Sequence, residues 1–590
     1  MSQYLINIAV GPVQEFIASA RKLRDLWYGS HLLSELAKTV AASLHEQGCE
    51  LIFPAVTDSE KLITNSDLNV ANKILAVSPN NGDPEKISRK AREAFQNHWR
   101  QICQDAGEKS PGQALNKQVF DQQVDDFGEF FAAWIPYTAG NYQDCRRLVE
   151  QKLSGRKALR DFAAPTWKGA GLPKSSLDGV RESVLSGIGA RDKRAFQLKK
   201  GEHLDALGVV KRFGPWNNNQ RPHFDNMAQV AARPYLFGLH KAAIKNPSIA
   251  KLIPTPALVE LIYPNGNPLA DRRPWDDLPE QLSSELLHPS VLAEELQNVG
   301  DDPNWKKLHA NLKALWKATA QPMPYACLLL GDGDNMGKAL DAIKTQKGHQ
   351  DFSGCLEEFA KNVHTIAARH EGKVIYSGGD DVMAYAPLHS AIACATEFNN
   401  LFGAAMKKAC EGLDIQLPTF SLGMVIVHHH TPLYKALDLA RQAERYAKDK
   451  GGKDCLAIIQ DKRGGSPLTI CGKWCGRNNL SERLERFSRG YCENRLSSRL
   501  AYQLRDISKQ CGETLAWSGT EPNNTACAEA LRLIGRKRNK STKALLPDDA
   551  VYLIQDQTNL RRISDELVIA HQFSQSARLA QGDWTKEEVE

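Results

Sequence analysis

Long apolar runs are absent from this sequence. None reaches the roughly 20 consecutive apolar residues that a membrane-spanning helix needs. The first residues, MSQYLINIAVGPVQEF, also lack the basic stretch, apolar core and small-residue cleavage site of a signal peptide. We therefore expect neither insertion into a membrane nor export.

A disulfide framework is missing as well. The 13 cysteines are scattered between Cys49 and Cys527, and their number is odd. The closest pair, Cys471 and Cys475, has no second pair at the spacing of a zinc site. This pattern indicates reduced thiols in a cytoplasmic protein, most of them serving as small buried hydrophobic residues.

The composition has no extreme that would mark a disordered or fibrous chain. Hydrophobic residues make up 42% and charged residues 24% of the sequence, as in ordinary globular proteins. The net charge of +6 is compatible with a polyanionic partner but does not require one. At 590 residues the chain is too long for one core, so several domains are expected.

Residues 321–465 show the clearest alternation of strands and helices. Predicted strands are YACLLLGD (325–332), KVIYS (373–377), VMAYAP (382–387), FSLGMVIVHH (420–429) and CLAIIQ (455–460), with helices over 352–370, 389–410 and 432–450. The order β-α-β-β-α-β predicts a ferredoxin-like sheet with one face covered by helices. A last helix and strand are appended to it.

Residues 1–165 show the same order more faintly. Strands are predicted at 4–11, 51–55, 73–79 and 129–137, with long helices after the first and third. We infer a structural repeat, because the two segments are not visibly alike in sequence. Residues 166–320 are predicted to form a helical or irregular middle domain, and residues 466–590 a C-terminal helical bundle. The fold class is therefore α+β.

The turn SGGDD (377–381) between two of these strands carries paired carboxylates. In a βαββαβ sheet the end of the first strand lies beside this turn, which would bring Asp332 close to Asp380 and Asp381. Converging carboxylates repel one another, and oxygen ligands of this kind favour Mg²⁺ or Mn²⁺. The bland alternative is an ordinary hairpin, since Gly/Asp turns are common.

Neighbouring residues favour the metal interpretation. Lys448, in AKDKGGKD (447–454), would place a cation where a triphosphate could lie. Asp334 is either a further ligand or the N-cap of a helix in GDNMGKAL, and Asp449 is only solvated. The three consecutive histidines, 428–430, are interpreted as a strand end entering a loop, because neighbours on a strand face opposite ways.

The sequence resembles a known family. YSGGDD, LLLGDGDNMGK and AERYAKDKGGKD resemble the cyclase palm of the large subunit of type III CRISPR effector complexes and, more distantly, GGDEF diguanylate cyclases, which carry Glu at the place of Asp381. GPVQEFIASARKLRDLWYGSHLLSELA resembles the opening of the first palm of the Cmr-type (subtype III-B) subunit. NKILA (72–76), KSSLDG (174–179) and GEHLDALGVVKR (201–212) match as well. The resemblance covers most of residues 1–465.

The resemblance implies a subunit that makes cyclic oligoadenylates from ATP when its complex binds target RNA. It implies two facing palms, the first of residues 1–165 and the second of residues 321–465, each holding one nucleotide. The implied roles are metal binding and catalysis for Asp332, Asp380 and Asp381, phosphate contact for Ser377, Gly378 and Gly379, triphosphate contact for Lys448, and a second nucleotide pocket for Ser30 and Asn72. For Ser30, a turn residue in YGSH is an equal alternative. The implied partners are other Cmr subunits, the 5′ region of a guide RNA, and target RNA.

Two family features are lacking. No His-Asp dipeptide occurs, so we expect no HD nuclease activity, and no four-cysteine set lies in 166–320, so we expect no structural zinc. Segments 190–203 and 21–27 and the basic cluster between Arg532 and Lys540 are candidate RNA contacts or solvated faces. Alternative functions are conjugation of S-adenosylmethionine to AMP, a silent scaffold, and a freestanding diguanylate cyclase.

Overall fold

The fold was examined in a computed structural model of the chain. It describes residues 2–584 except 57, 65, 67, 111–113, 126, 160–168, 170, 189–197, 200, 215–223, 265–278, 280, 477–478, 519–520 and 537–558. Within these residues, no helix is long and apolar enough to cross a membrane.

The N-terminal region forms a four-stranded antiparallel sheet. Its strands are β1 (Gln3–Gly11), β2 (Glu50–Phe53), β3 (Lys73–Val77) and β4 (Glu129–Tyr137), and its helices are α1 (Gln14–Ala18), α2 (Leu23–Glu46), α3 (Pro84–Lys109), α4 (Lys117–Asp125) and α5 (Tyr142–Ala158). The strand order is β2-β3-β1-β4, which is the ferredoxin-like order. The predicted first palm is thereby confirmed as a fold.

Strand alternation places β1 in two cores. Ile6 and Ile8 face a cluster that includes α2 and α3, whereas Leu5 and Ala9 face α5. Helix α3 begins where Asp83 accepts hydrogen bonds from the next backbone amides, with proline at the first helical position.

The middle region combines irregular segments, such as residues 171–188, with helices. Its helices are α6 (Ala206–Phe213), α7 (Met227–Lys245), α8 (Pro247–Ala250), α9 (Pro256–Ile262), α10 (Pro289–Val299) and α11 (Pro303–Ala318). α6, with Val184 and Leu185, belongs to the core of the first sheet, while most of the later helices share a core of their own. The domain boundaries given above stay predictions.

The second sheet has six strands. They are β5 (Tyr325–Asp334), β6 (Lys373–Ser377), β7 (Val382–Pro387), β8 (Thr419–His428), β9 (Cys455–Gln460) and β10 (Leu468–Lys473), with helices α12 (Met336–Ala342), α13 (Gln346–Arg369), α14 (Ala391–Ala409) and α15 (Leu433–Asp449). The order is β10-β9-β8-β5-β7-β6. Its part β8-β5-β7-β6 is antiparallel throughout and has the ferredoxin-like order again.

Both faces of this sheet are buried, so the prediction of one covered face is wrong. Leu329 lies in a core with α13 and α14, and Leu328 lies in another with α15 and the start of α2. A strand buried on both sides reads as a continuous apolar run, as YACLLL does.

The C-terminal region adds helices α16 (Leu480–Cys492), α17 (Ser498–Cys511), α18 (Thr525–Arg536) and α19 (Leu560–Gln581) and the short strands β11 (Trp517–Ser518) and β12 (Glu521–Pro522). Several of their apolar residues, among them Leu484 and Ile563, lie in the same core as α13 and α14. α19 also crosses α7 so closely that a Cβ at Gly238 would overlap the Leu579 carbonyl.

Candidate active site

The site centres on the turn between β6 and β7. β6 ends at Ser377 and β7 begins at Val382, and the backbone amide of Gly378 donates to the carbonyl of Asp381 at 3.1 Å. Gly379 has φ +92°, a conformation that other residues adopt only with strain. The turn is therefore short and its shape depends on glycine.

The sheet brings Asp332 to this turn. β5 pairs with β7 so that Gly331 lies opposite Val382, and the amide of Gly333 donates to the carbonyl of Asp380 at 3.2 Å. A Cβ at Gly333 would lie 3.0 Å from the Cβ of Asp380, so the two segments are in close contact. Residues about 50 positions apart in the chain thus meet, and their catalytic roles stay predictions.

Burial and mutual repulsion disfavour the charged form of the carboxylates at the turn. Burial and then the Asp332 carboxylate raise the pKa of Asp380 to about 6. Burial, Asp380 and Asp332 raise the pKa of Asp381 to about 7. Asp381 Oδ1 is buried and has no hydrogen-bond partner among the described residues. Burial and like charge consequently outweigh the backbone donors and Lys448, and the charged form of both side chains is disfavoured.

Lys448 reaches the site from the end of α15. Its ammonium group contacts Asp332 Oδ2 and lies 2.8 Å from Glu444 Oε1. Burial lowers its pKa, but the two carboxylates outweigh that effect and raise the pKa to about 12. The predicted cation is present, and in this structure its partners are carboxylates.

Asp334 lies at the end of β5, and its role as a further metal ligand stays a prediction. β5 extends to Asp334, whose side chain is buried inside the sheet and accepts from Ser421 Oγ at 2.8 Å and from the amide of Asp454 at 3.0 Å. The residue before α12 is Asn335, so the helix-cap interpretation of Asp334 is wrong. These bonds tie β5 to the segment after α15.

Ser377 turns its hydroxyl away from the turn. Oγ donates to the carbonyl of Ala360 at 3.2 Å and lies 3.4 Å from His364 Nε2, and the side chain is buried. Its contact with a phosphate stays a prediction. In this geometry the contact would be made by the backbone of Ser377 and not by its hydroxyl.

The two residues predicted for a second pocket lie in the N-terminal region that forms the first sheet. We call this region the first unit, and the region of the second sheet the second unit. Ser30 lies within α2, so the interpretation as a turn residue is wrong. Asn72 precedes β3, and its amide Nδ2 is 3.5 Å from the carbonyl of Val10. Ser34, one helical turn after Ser30, accepts from the amide of Val70 at 2.8 Å. The two motifs are thereby brought together, and their nucleotide contact stays a prediction.

The fit of a divalent cation rests on the donor set. Among the described residues, no group of three or more His, Cys, Asp or Glu side chains has the spacing of a metal site. The chemistry of the turn nevertheless suits a hard cation, since Asp381 Oδ1 is buried without a donor and three carboxylates interact.

Sequence reasoning missed two neighbours of the site. Glu444 shares Lys448 with Asp332, and its position four residues before Lys448 on one helix is a signal that could have found it. Tyr376 is half-buried beside the turn, and its pKa is raised by desolvation and by Asp381. No periodicity marks Tyr376, because it lies at a register shift between β6 and β7.

The remaining predictions have mixed outcomes. β8 ends at His428, which confirms that the histidines lie at a strand end. In the 21–27 segment, Arg24 is buried against Asp25, so this cation is neither solvated nor open to RNA. Arg532 pairs with Glu529, while residues 537–540 and most of 190–203 lie outside the described residues.

Comparison with known proteins agrees with this architecture. Residues 325–457 match the model of the second palm domain of Cas10/Cmr2. Residues 5–104 match the model of the N-terminal part of the CRISPR-associated protein Cmr2. Two separate segments of the chain are thus similar to Cas10/Cmr2 proteins. The resemblance predicted from the sequence is thereby confirmed.

Individual relatives are distant. The CRISPR system Cmr subunit Cmr2 of Pyrococcus furiosus is 24% identical over an alignment that covers 78% of this chain and 62% of that protein. The chain thus spans about 62% of the length of this curated family relative.

Solved structures share the fold. The cryo-EM structure of the type III-B Cmr-beta complex in the apo state has a chain with a TM-score of 0.67 and 13% identity, covering 97% of this chain and 82% of that one. The form bound to cognate target RNA gives 0.64 and 13%, covering 97% and 83%. At 13% identity, the similarity to these two structures concerns the fold alone.

Proposed function

We propose that this chain is the catalytic large subunit of a guide-RNA complex and makes cyclic oligoadenylates from ATP. The observation that carries the proposal is the meeting of Asp332 with the Asp380-Asp381 turn and with Lys448. In the reaction, the 3′-hydroxyl of one ATP attacks the α-phosphorus of another, and pyrophosphate leaves. Repeated 3′–5′ linkage and a final ring closure complete the product.

The carboxylates would hold the metal that this reaction requires. Asp332, Asp380 and Asp381 offer oxygen ligands, and two of them have a pKa raised by burial and like charge. A bound Mg²⁺ or Mn²⁺ ion supplies neutralisation of phosphate charge and orientation of the α-phosphate. An ion at the carboxylates would also replace the contact that Lys448 makes with Asp332.

The other residues of the site bind and orient. Lys448 is near the turn and carries a positive charge that pairs with a triphosphate as readily as with Asp332. Gly378 and Gly379 lack a Cβ, so phosphate oxygens can approach the backbone of the turn. In the first unit, Asn72 and Ser30 would border the pocket of the second nucleotide.

The partners follow from the family and from charge. One structural relative is described as bound to cognate target RNA within the Cmr-beta complex. The net charge of +6 suits contact with an RNA backbone. We therefore place this chain with other Cmr subunits, a guide RNA and a target RNA that activates synthesis.

Product analysis of the reconstituted complex tests the function. Matched target RNA is added with ATP and Mg²⁺, with and without S-adenosylmethionine, and the products are separated by mass. We expect cyclic oligoadenylates, formed only with target RNA. A product that contains S-adenosylmethionine would mean that the same site uses another acceptor. The absence of any nucleotide product would favour a silent scaffold.

A double substitution ties the product to the turn. Asp380→Ala with Asp381→Ala should reduce synthesis by about 1,000-fold or more, because both carboxylates are lost, while the complex still assembles. Asp449→Asn is the matched control, since Asp449 is exposed at the end of α15 near Lys448. Full synthesis by the double variant would exclude the proposed site.

A further inference from the structure

Two thiols meet behind the proposed site. Cys455 begins β9 and Cys471 lies on β10, and both belong to the face of the sheet that also carries Ala457 and Lys473. A Cβ at Gly451 would lie 2.6 Å from Cys471 Sγ and 2.8 Å from Cys455 Sγ. Both sulfurs therefore pack over the same glycine and against each other.

The loop that these thiols contact is strained. Gly452, Lys453 and Asp454 have φ values of +71°, +64° and +50°, so three consecutive residues are left-handed and two of them carry a side chain. Such a conformation persists only where the surroundings impose it. Cys455 Sγ lies 3.1 Å from the carbonyl of Gly451 and 2.9 Å from that of Lys453.

The same loop is bonded to the end of β5. The amide of Asp454 donates to Asp334 Oδ2 at 3.0 Å, and Lys453 Nζ donates to Asn335 Oδ1 at 2.7 Å. The loop also follows directly on α15, which carries Lys448. A change in the loop would therefore act both on the end of β5 and on the end of α15, the two segments that meet at the site.

A third side chain, Lys473, lies beside the two thiols. Lys473 lies opposite Cys455 on β10, and its ammonium donates to the carbonyl of Gly452 at 3.0 Å. The hydrogen bond with Cys471 and the charge of Lys473 outweigh burial and lower the pKa of Cys455 to about 7. Cys455 is buried and Cys471 beside it is partly exposed, so a small oxidant would approach the pair from the side of Cys471.

We propose that Cys455 and Cys471 form a reversible oxidation site, at which hydrogen peroxide converts the two thiols to a disulfide and displaces the 451–454 loop. In the first step the Cys455 thiolate attacks one oxygen of the peroxide, takes up a proton and becomes a sulfenic acid, and one water leaves. In the second step the Cys471 sulfur attacks the Cys455 sulfur, and a second water leaves with the thiol proton. Each sulfur loses one electron to the peroxide.

Sheet geometry is the reason why the loop must move. Cys455 lies opposite Lys473 and Cys471 lies opposite Ala457, so the cysteines are diagonal neighbours. Diagonal Cα atoms are typically about 7–8 Å apart. A disulfide needs about 4.4–6.8 Å. Closing the bond pulls the first residue of β9, and the contacts of Cys455 with the loop carbonyls are lost. As a device that regulates synthesis, this inference rests on the proposed function.

The test uses the reconstituted complex and hydrogen peroxide. Free thiols are alkylated, and peptides and hydrogen exchange of residues 447–455 are followed by mass spectrometry before and after dithiothreitol. We expect a Cys455–Cys471 cross-link, faster exchange in the loop, and a loss of synthesis of about tenfold to 100-fold, the size of a small misplacement of catalytic groups. All three should reverse on reduction.

Two serine variants serve as controls. Cys471→Ser should give neither the cross-link nor the loss of synthesis, whereas Cys475→Ser, which removes an exposed thiol nearby, should keep both. Peroxide that oxidises Cys475 without linking Cys455 to Cys471 would overturn the inference, as would a cross-link with unchanged exchange and synthesis. A cross-link and faster exchange in a complex that makes no product even when reduced would refute the proposed function and keep the oxidation site.

Discussion

The first sheet and the β8-β5-β7-β6 part of the second sheet have the same strand order, and they differ in the connection that follows the second strand of each. In the second sheet β6 and β7 are joined by Gly378–Asp381, and the turn stays beside β5. In the first sheet β2 and β3 are joined by residues 54–72, and this long connection is bonded to α2 at Ser34. A short turn holds its carboxylates at the sheet, whereas a long connection packs elsewhere. Topology alone therefore does not assign the chemistry.

The two units are joined close to the site. Arg146 on α5 pairs with Asp341 on α12, and Tyr137 donates to Gln346 Oε1 at 3.0 Å. α12 follows β5 with only Asn335 between them. Part of the contact between the units is thus made by α12, close behind β5, and by Gln346 at the start of α13.

Of the substitutions that compare the two units, the one at Lys448, beside the acidic turn of the second unit, should reduce synthesis most. Lys448→Ala removes the cation at the acidic turn, and we expect kcat/KM for ATP to fall by about 100-fold. The exposed neighbour Lys450, changed to alanine, is the control and should keep synthesis within about twofold. An equal loss in both variants would assign the effect to the helix end rather than to Lys448.

Acidification should weaken the contact between the units. His349 is buried between Phe53 and Tyr142, and burial with the nearby Arg146 lowers its pKa to about 4. The unfolded chain binds this proton near pH 6.5 and the folded chain does not, so stability falls as the pH drops below about 6.5. Between pH 7 and pH 5 the loss from His349 is about 2 kcal/mol.

Thermal denaturation at the two pH values measures this loss. His349→Gln should make the fall in melting temperature between pH 7 and pH 5 smaller than in the unmodified chain. His309→Gln, which changes an exposed histidine on α11, should leave the fall unchanged. Equal slopes in all three proteins would mean that His349 is protonated in the folded state.

Substitution of Asn72 should show how far the first unit takes part in catalysis. If Asn72→Ala removes one contact with the second nucleotide, kcat/KM should fall by about tenfold, equivalent to about 1.4 kcal/mol. Ser30→Ala should act in the same direction. Kinetics that match the unmodified complex in both variants would place the second nucleotide elsewhere.

The last substitution tests the shape of the turn through stability rather than through kinetics. Gly379→Ala should cost about 1–2 kcal/mol in unfolding free energy, because φ is +92° and no atom crowds the added Cβ. Gly403→Ala, in the middle of α14, should instead be neutral or stabilising. A neutral Gly379→Ala would show that the turn relaxes to another conformation.

Local signals predicted much of the second sheet. KVIYS and VMAYAP form strands with the predicted bounds, because short apolar runs between Gly and Asp residues are specified by near neighbours. β10 was missed because LTICGK lies in residues 466–590, for which a helical bundle was predicted, so the prediction of an entirely helical C-terminal region is wrong. The buried role of Asp334 was missed because its partners Ser421 and Asp454 are far along the chain.

The sequence by itself determined most of the order of strands and helices, the acidic turn and the resemblance to Cas10/Cmr2 proteins, because each of these depends on residues that are close together in the chain. Only the tertiary structure decided that Lys448 is shared by Asp332 and Glu444, that both faces of the second sheet are buried, and that Cys455 meets Cys471. These contacts depend on how the strands are placed side by side and on what packs across them. Periodicity along one segment carries no information on that placement.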